Sequence, residues 1–384
     1  MKPLSAAKYF WENKKKTLLI LAVFLLTIIA ISFTASLVNS AFVSAETVTL
    51  EPFHTASVAA ATDGEYFLDD ETVGKIESMA EVKKAVPLNS FEATLVDSMM
   101  GNCMAHVIFI DSPALPEIIT DYYNLKLKDG GRMPNLGEHE LVMHEDVMLN
   151  KGLKVGDEFG DAVNDKEWMA GRYTIVGSLS GKTVMCFGAR SNTGAALEKV
   201  GVDLSKHTVA LLLFPKNGIA AMNAGLQALS KSEARVVTYD NLRKDLDDQL
   251  ASVQSLIGII MFVMIFAMGV SIGALIMIAY ADRSGEFGIL FAIGYSKKQV
   301  GGLICKEIGV LSVIGTAIGY ALSILILFLV DLIIFKPAGK PMAFFSTYGV
   351  IFTLIVPVMV FACAVLPILA RFRKTDLVAT IEGH

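Results

Sequence analysis

Charge is scarce in this sequence: Asp, Glu, Lys and Arg supply 18% of its 384 residues, against 53% hydrophobic ones. With a mean hydropathy of +0.54, the chain is too apolar for an ordinary soluble domain and points to membrane insertion. The net charge of −5 offers no basic surface, so no nucleic-acid partner is expected. Cysteine is rare as well. Cys103, Cys186, Cys305 and Cys363 contain no CxxC pair, which excludes a zinc ribbon and a disulfide-dense scaffold. No Walker phosphate loop is present. Gly177-Ser178-Leu179-Ser180-Gly181-Lys182-Thr183 comes nearest, but its glycines stand too close together, and it reads as a turn. His139-Glu140 and His144-Glu145 miss the zinc-protease spacing, because histidines at an odd offset in a strand-like stretch face opposite ways. No catalytic residue, metal site or cofactor is assigned to this chain.

What the sequence does have is long uncharged runs. A spanning helix needs roughly 20 apolar residues, and four segments qualify: 17–38, 251–281, 301–334 and 342–370. Lys306 and Glu307 fall near the polar end of the third, where both can reach the interface. Residues 39–250 are long enough for a core of their own, 282–300 and 335–341 are loops, and 371–384 is a tail. The expected fold class is a membrane protein with four transmembrane α-helices and a large mixed α/β extracytoplasmic domain between helices one and two. Lys2, Lys8, Lys14, Lys15 and Lys16 in segment 1–16 lie on one side, together with Arg283, Lys297, Lys298, Arg371, Arg373 and Lys374. The positive-inside rule makes that side the cytoplasm, with both termini there. A cleaved signal peptide is the lesser alternative: Val43-Ser44-Ala45 suits cleavage, but the apolar run is too long.

Local patterns fill in the parts. Leu4 to Trp11 suits a short helix in the cytoplasmic interface. In the outer domain Asp69-Asp70-Glu71 opens a helix, and strands are expected at 93–96, 105–110, 140–143, 173–176 and 209–214. Asp240 is a candidate N-cap for a helix whose Leu242, Leu246, Leu250 and Val253 stripe runs unbroken into the second span. That continuous rod, 241–281, would be about 60 Å long. Between spans two and three, Glu286 to Ile293 is a compact apolar helix, Gly294 can end it, and Ser296 with Gln299 forms a capping box for the next. This short helix has more apolar surface than the cytoplasm suits and wants a protein partner. Gly269-xxx-Gly273 and Gly315-xxx-Gly319 allow close helix contact, within one chain or between two. Cys103 and Cys186 could pair outside, and sequence leaves that open.

Asp282-Arg283-Ser284-Gly285-Glu286-Phe287-Gly288-Ile289-Leu290-Phe291-Ala292-Ile293-Gly294-Tyr295-Ser296 resembles the E-R-x-x-E-I-G-I-L-R-A-I-G-A-S motif of MacB/FtsX-like ABC transporter permeases. Gly131-Arg132-Met133-Pro134, Val155-Gly156-Asp157 and Tyr173-Thr174-Ile175-Val176-Gly177 resemble the family's outer-domain signature, and Arg371 to Ile381 its C-terminal end. Asp282 stands where Glu is usual, and Phe291 where a basic residue is common. The resemblance implies a bacterial plasma-membrane permease subunit, homodimeric or paired, whose coupling helix docks on a separate ATP-binding subunit that carries ATP and Mg. It implies that Arg283 and Glu286 give polar contacts to that ATPase, Phe287, Leu290 and Phe291 fill its groove, Gly288 belongs to the same contact, and Gly294 makes the turn. Export of peptides, drugs or other hydrophobic compounds is the expected task, with an outer accessory protein left open. The alternative is a membrane-anchored sensor or regulator of envelope processes, such as lipoprotein release or cell-wall hydrolase control.

Overall fold

The computed structural model describes residues 14–62, 65–98, 101–203, 207–229, 233–340 and 347–374. The interfacial segment expected from Leu4 to Trp11 lies outside these, as does the tail after 374. The chain divides into two units: residues 1–40, 252–331 and 343–384 form one, and 41–251 with 332–342 the other.

Four helices are long and apolar enough to cross a membrane. The first runs Lys14–Leu50, the second Tyr239–Ala281, the third Lys297–Val330 and the fourth Thr347–Lys374. In the membrane unit they share one core, to which Phe24, Ile28, Ile272, Ile304, Val356 and Val360 contribute. Lipid tails are as apolar as these side chains, so hydrophobicity alone does not hold the helices together; close approach does. A Cβ on Gly273 would stand 2.8 Å from Cys363 Cβ, and one on Gly269 3.2 Å from Met359 Cβ. Gly315 and Gly319 meet Phe24 and Ile28 of the first helix in the same way, at 2.5 and 2.8 Å. Both GxxxG faces are therefore taken up inside one chain.

The outer unit is built on eleven strands among the described residues: β1 (Ser57–Ala60), β2 (Val82–Leu88), β3 (Ser90–Ser98), β4 (Gly101–Phe109), β5 (Lys126–Leu127), β6 (Glu140–His144), β7 (Glu158–Phe159), β8 (Tyr173–Ser180), β9 (Met185–Gly188), β10 (Ala210–Pro215) and β11 (Arg235–Val237). They form a four-stranded sheet ordered β11-β1-β10-β2 and a seven-stranded sheet ordered β3-β4-β9-β6-β8-β5, with β7 also on β8. The first sheet is antiparallel, while β4–β9 and β6–β8 are parallel. Strand alternation sorts the cores. Leu212 and Phe214 of β10 meet Ile108, Val142 and Phe187 between the sheets. Leu211 and Leu213 instead pack on Ile76 and Met222, from helices Asp70–Glu77 and Ile219–Leu226. On the far side Val107, Phe109, Leu141 and Met143 pack on Val147 and Met148 of the helix Glu145–Lys151.

The three outer-domain motifs converge on β8. Arg132 N donates to Val176 O at 3.0 Å, and Gly156 N to Ile175 O at 2.8 Å. A Cβ on Gly131 would come within 2.8 Å of Gly177 Cα, so this crossing needs two glycines. Arg132 then pairs with Glu140 on β6. These motifs maintain a backbone crossing, and their spacing is architectural.

Several expectations change. The first helix runs on past Val38 to Leu50, because Ala41, Ala45, Val48 and Leu50 are buried by the outer unit despite polar neighbours. The second begins at Tyr239, and Thr238 rather than Asp240 caps it: Asn241 N donates to Thr238 Oγ1 at 3.3 Å. Gly177 to Ser180, expected in a turn, complete β8, since pairing with β5 and β6 captures them. Cys103 and Cys186 remain thiols. Cys186 pairs with Val107 in the parallel register, which puts Cys103 about 13 Å further along at about 3.3 Å per residue. The loop after the third helix belongs to the outer unit, where Asn150 Nδ2 donates to Ala338 O at 3.3 Å and Lys340 lies 3.5 Å from Asp97.

Candidate functional site

The segment joining the second and third helices is closed at both ends by local chemistry. A short helix spans Ser284–Ala292. Gly294, at φ +101°, ends it in a conformation that favours glycine. There Gly294 N donates to Phe291 O and Tyr295 N to Leu290 O, both at 3.0 Å, the paired bonds of a Schellman motif. Ser296 Oγ accepts from Gln299 N while Gln299 Oε1 accepts from Ser296 N, so the expected capping box is complete.

The root of this short helix is fixed by a buried polar node. Arg283 Nη1 donates to Glu307 Oε2 at 2.7 Å, and Tyr280 Oη donates to the same oxygen at 2.7 Å. Arg283 Nε donates to Glu286 Oε2 at 3.0 Å. The Tyr280 and Phe287 rings lie nearly parallel, 7° apart, with the guanidinium carbon 5.1 Å from each centroid. Burial works against the Arg283 charge, but the Glu307 hydrogen bond and charge outweigh it and keep its pKa raised. Glu307 is 1% exposed, enclosed by the chain's own residues. A carboxylate this deep requires a cation, and Arg283 supplies it.

This node changes how the expected site residues are deployed. Phe287 is 1% exposed and Gly288 is buried, both turned into the chain's own helices, and Arg283 is 8% exposed. Leu290 and Phe291 are half-buried against the bundle core. The outward face consists of Glu286, Ile289, Ala292 and Ile293, with Ile289 63% and Ile293 70% exposed. Sequence reasoning missed Tyr280, the role of Glu307, and this isoleucine pair. An acidic residue at the head of an apolar run, with an arginine just past the preceding span, was the available signal for the node.

Elsewhere, His144 has both ring nitrogens engaged: Nε2 donates to Gly181 O at 3.1 Å and Nδ1 accepts from Asp146 N at 3.2 Å, which caps the helix Glu145–Lys151. Among the described residues, no three His, Cys, Asp or Glu side chains gather as metal ligands would.

Residues 258–377, which contain the short helix and its node, match the family model of the FtsX-like permease C-terminal domain. This chain carries an FtsX-like permease domain. The motif resemblance at Asp282 to Ser296 lies inside that permease domain. Among solved structures, the chain is similar to the periplasmic region of MacB from Actinobacillus actinomycetemcomitans, at 12% identity over 50% of this chain and 92% of that one, with a TM-score of 0.29. It is also similar to the extracellular domain of the noncanonic ABC-type transporter YknZ from Gram-positive bacteria, at 10% identity over 47% of this chain and 99% of that one, with a TM-score of 0.26. No curated protein matches the chain in sequence.

Proposed function

We propose that this chain is the permease subunit of a MacB/FtsX-like ABC transporter, which couples ATP hydrolysis on a separate ATPase subunit to movement of its outer unit. Both termini and the short helix lie in the cytoplasm, residues 39–250 outside, and the task is export of peptides, drugs or other hydrophobic compounds. One observation carries this reading: the short helix exposes Ile289 and Ile293 one turn apart while Arg283, clamped by Glu307, fixes its root. An apolar pair on an anchored helix outside the spans favours a protein partner, because exposed apolar surface in water gains by burial. The same anchoring lets a push on the short helix pass to the second and third helices, as a rigid-body transition requires. The second helix is 43 residues long, about 64 Å at 1.5 Å per residue, long enough to carry that motion beyond the bilayer. ATP and Mg are held by the partner, and no chemical step is assigned to this chain.

The test is native co-purification in mild detergent of the wild type and an Ile289→Asp, Ile293→Asp double variant. Both positions are exposed, so the variant should fold. An ATP-binding subunit should accompany the wild type and be lost from the variant. Equal recovery with both would refute this docking surface. If no ATPase accompanies the wild type, the transporter reading gives way to the membrane-anchored sensor.

A further inference from the structure

The node has a further neighbour in the first helix. Thr17 lines a cavity of about 20 Å³ together with Ile20, Ile276, Leu311, Tyr280 and Glu307. One water molecule needs roughly 10–15 Å³ and at least two polar partners. Thr17 Oγ1 is buried and has no hydrogen-bond partner among the described residues. Other threonines in these helices turn back on their own backbone: Thr27 donates to Val23 O, Thr316 to Ser312 O and Thr353 to Gly349 O. Thr17 does not. On the same cavity wall, Glu307 accepts from both Tyr280 and Arg283 at Oε2. A carboxylate has acceptor sites on two oxygens, so Oε1 retains capacity for a further donor.

We propose that one water molecule occupies this cavity and bridges Thr17 Oγ1 to Glu307, making the first helix a member of the node. Apart from Tyr280 the rest of the described wall is aliphatic, and the volume suits a single water molecule. A salt bridge makes a parallel link outside the cavity, where Lys16 Nζ donates to Asp282 Oδ2 at 2.8 Å, with both side chains about half exposed. Successive residues of the first helix thus engage the two sides of the short helix's root: Lys16 reaches Asp282, next to Arg283, and Thr17 reaches Glu307, the partner of Arg283. Displacement of the short helix is then felt by the first helix as well as by the two it directly connects. None of this depends on which protein docks on the short helix.

The test compares thermal unfolding of the full-length chain in detergent for wild type, Thr17→Val and Thr17→Ser. Valine keeps the shape of threonine and puts a methyl group in place of the hydroxyl. With a bridging water, Thr17→Val lowers the midpoint by about 2–4 °C, and Thr17→Ser keeps it near wild type. In a dry cavity the sign differs: removing an unpartnered buried hydroxyl leaves the midpoint unchanged or raises it, and that result overturns the proposal. A Thr17→Val, Glu307→Gln double variant gives a second readout. Non-additive effects support a water shared by the two residues, and additive effects overturn it. Neither readout involves ATPase capture, so failure here and failure of the docking surface are distinguishable.

Discussion

In the outer unit, β10 sends Leu212 and Phe214 into one core and Leu211 and Leu213 into another, and water removes any other arrangement from competition. In the membrane unit, apolar side chains lie on both faces of the helices: Ile28 and Ile272 are fully buried, while Ile259, Phe262, Val313 and Val358 are each at least 63% exposed. Apolar patterning therefore specifies the first unit and underspecifies the second. What specifies the second is steric and polar: four glycines that admit a neighbouring helix, and the buried Glu307 carboxylate, which takes hydrogen bonds from Tyr280 and Arg283.

The sharpest way to break this comparison is Glu307→Ala, which leaves the Arg283 charge buried without its main partner. Loss of about 3–5 kcal/mol is expected for removing one partner of a buried pair. Denaturant unfolding of the full-length chain in micelles measures it, and near-wild-type stability would remove the node from the account. Replacing both, as Arg283→Met with Glu307→Leu, should cost far less, since no charge is then stranded.

A smaller effect belongs to the outer unit. His106 on β4 lies between Phe53 and Phe91, with centroids 5.0 and 5.3 Å away, and its Nε2 donates to Thr49 O near the end of the first helix at 3.2 Å. Burial pushes its pKa down from 6.5 to about 4, against the opposing pull of the Thr49 carbonyl. Between those values the unfolded chain takes up a proton that the folded chain refuses. Stability should therefore fall as pH drops from about 6.5 to about 4 and level off below, by about 3 kcal/mol at most. His106→Gln should lose this component of the slope. An identical pH profile in wild type and variant would show that the ring titrates normally in the folded state.

The smallest expected effect compares two glycines of one helix. Gly273→Ala drives a methyl against the Cys363 backbone, and overpacking of this kind costs about 1–3 kcal/mol. Gly258→Ala meets nothing within 4 Å and should be neutral or slightly stabilising. Equal midpoints for the two variants would mean that helix contact at Gly273 contributes little to holding the bundle together.

Much of the fold was legible because it rests on local rules. The strands at 93–96, 140–143 and 173–176, the capping box at Ser296 and the left-handed Gly294 each depend on residues within a turn or a strand of one another. The first helix was cut short because Ser40, Ser44, Glu46 and Thr47 look like loop residues until the outer unit buries their apolar neighbours. The candidate site was legible as a segment but not as a surface. Phe287, Leu290 and Phe291 are as apolar as Ile289 and Ile293, and composition alone does not say which of them face the bundle.

The sequence by itself determined four apolar runs, a mixed α/β insertion, and a short capped helix, since hydropathy, alternation and capping act over a few residues. Tertiary structure alone decided that Arg283 reaches Glu307, that Gly273 receives Cys363, and that Ile289 and Ile293 are left outside. Those outcomes join segments distant in the chain, and only closing the helices on one another fixes which side chains remain for a partner.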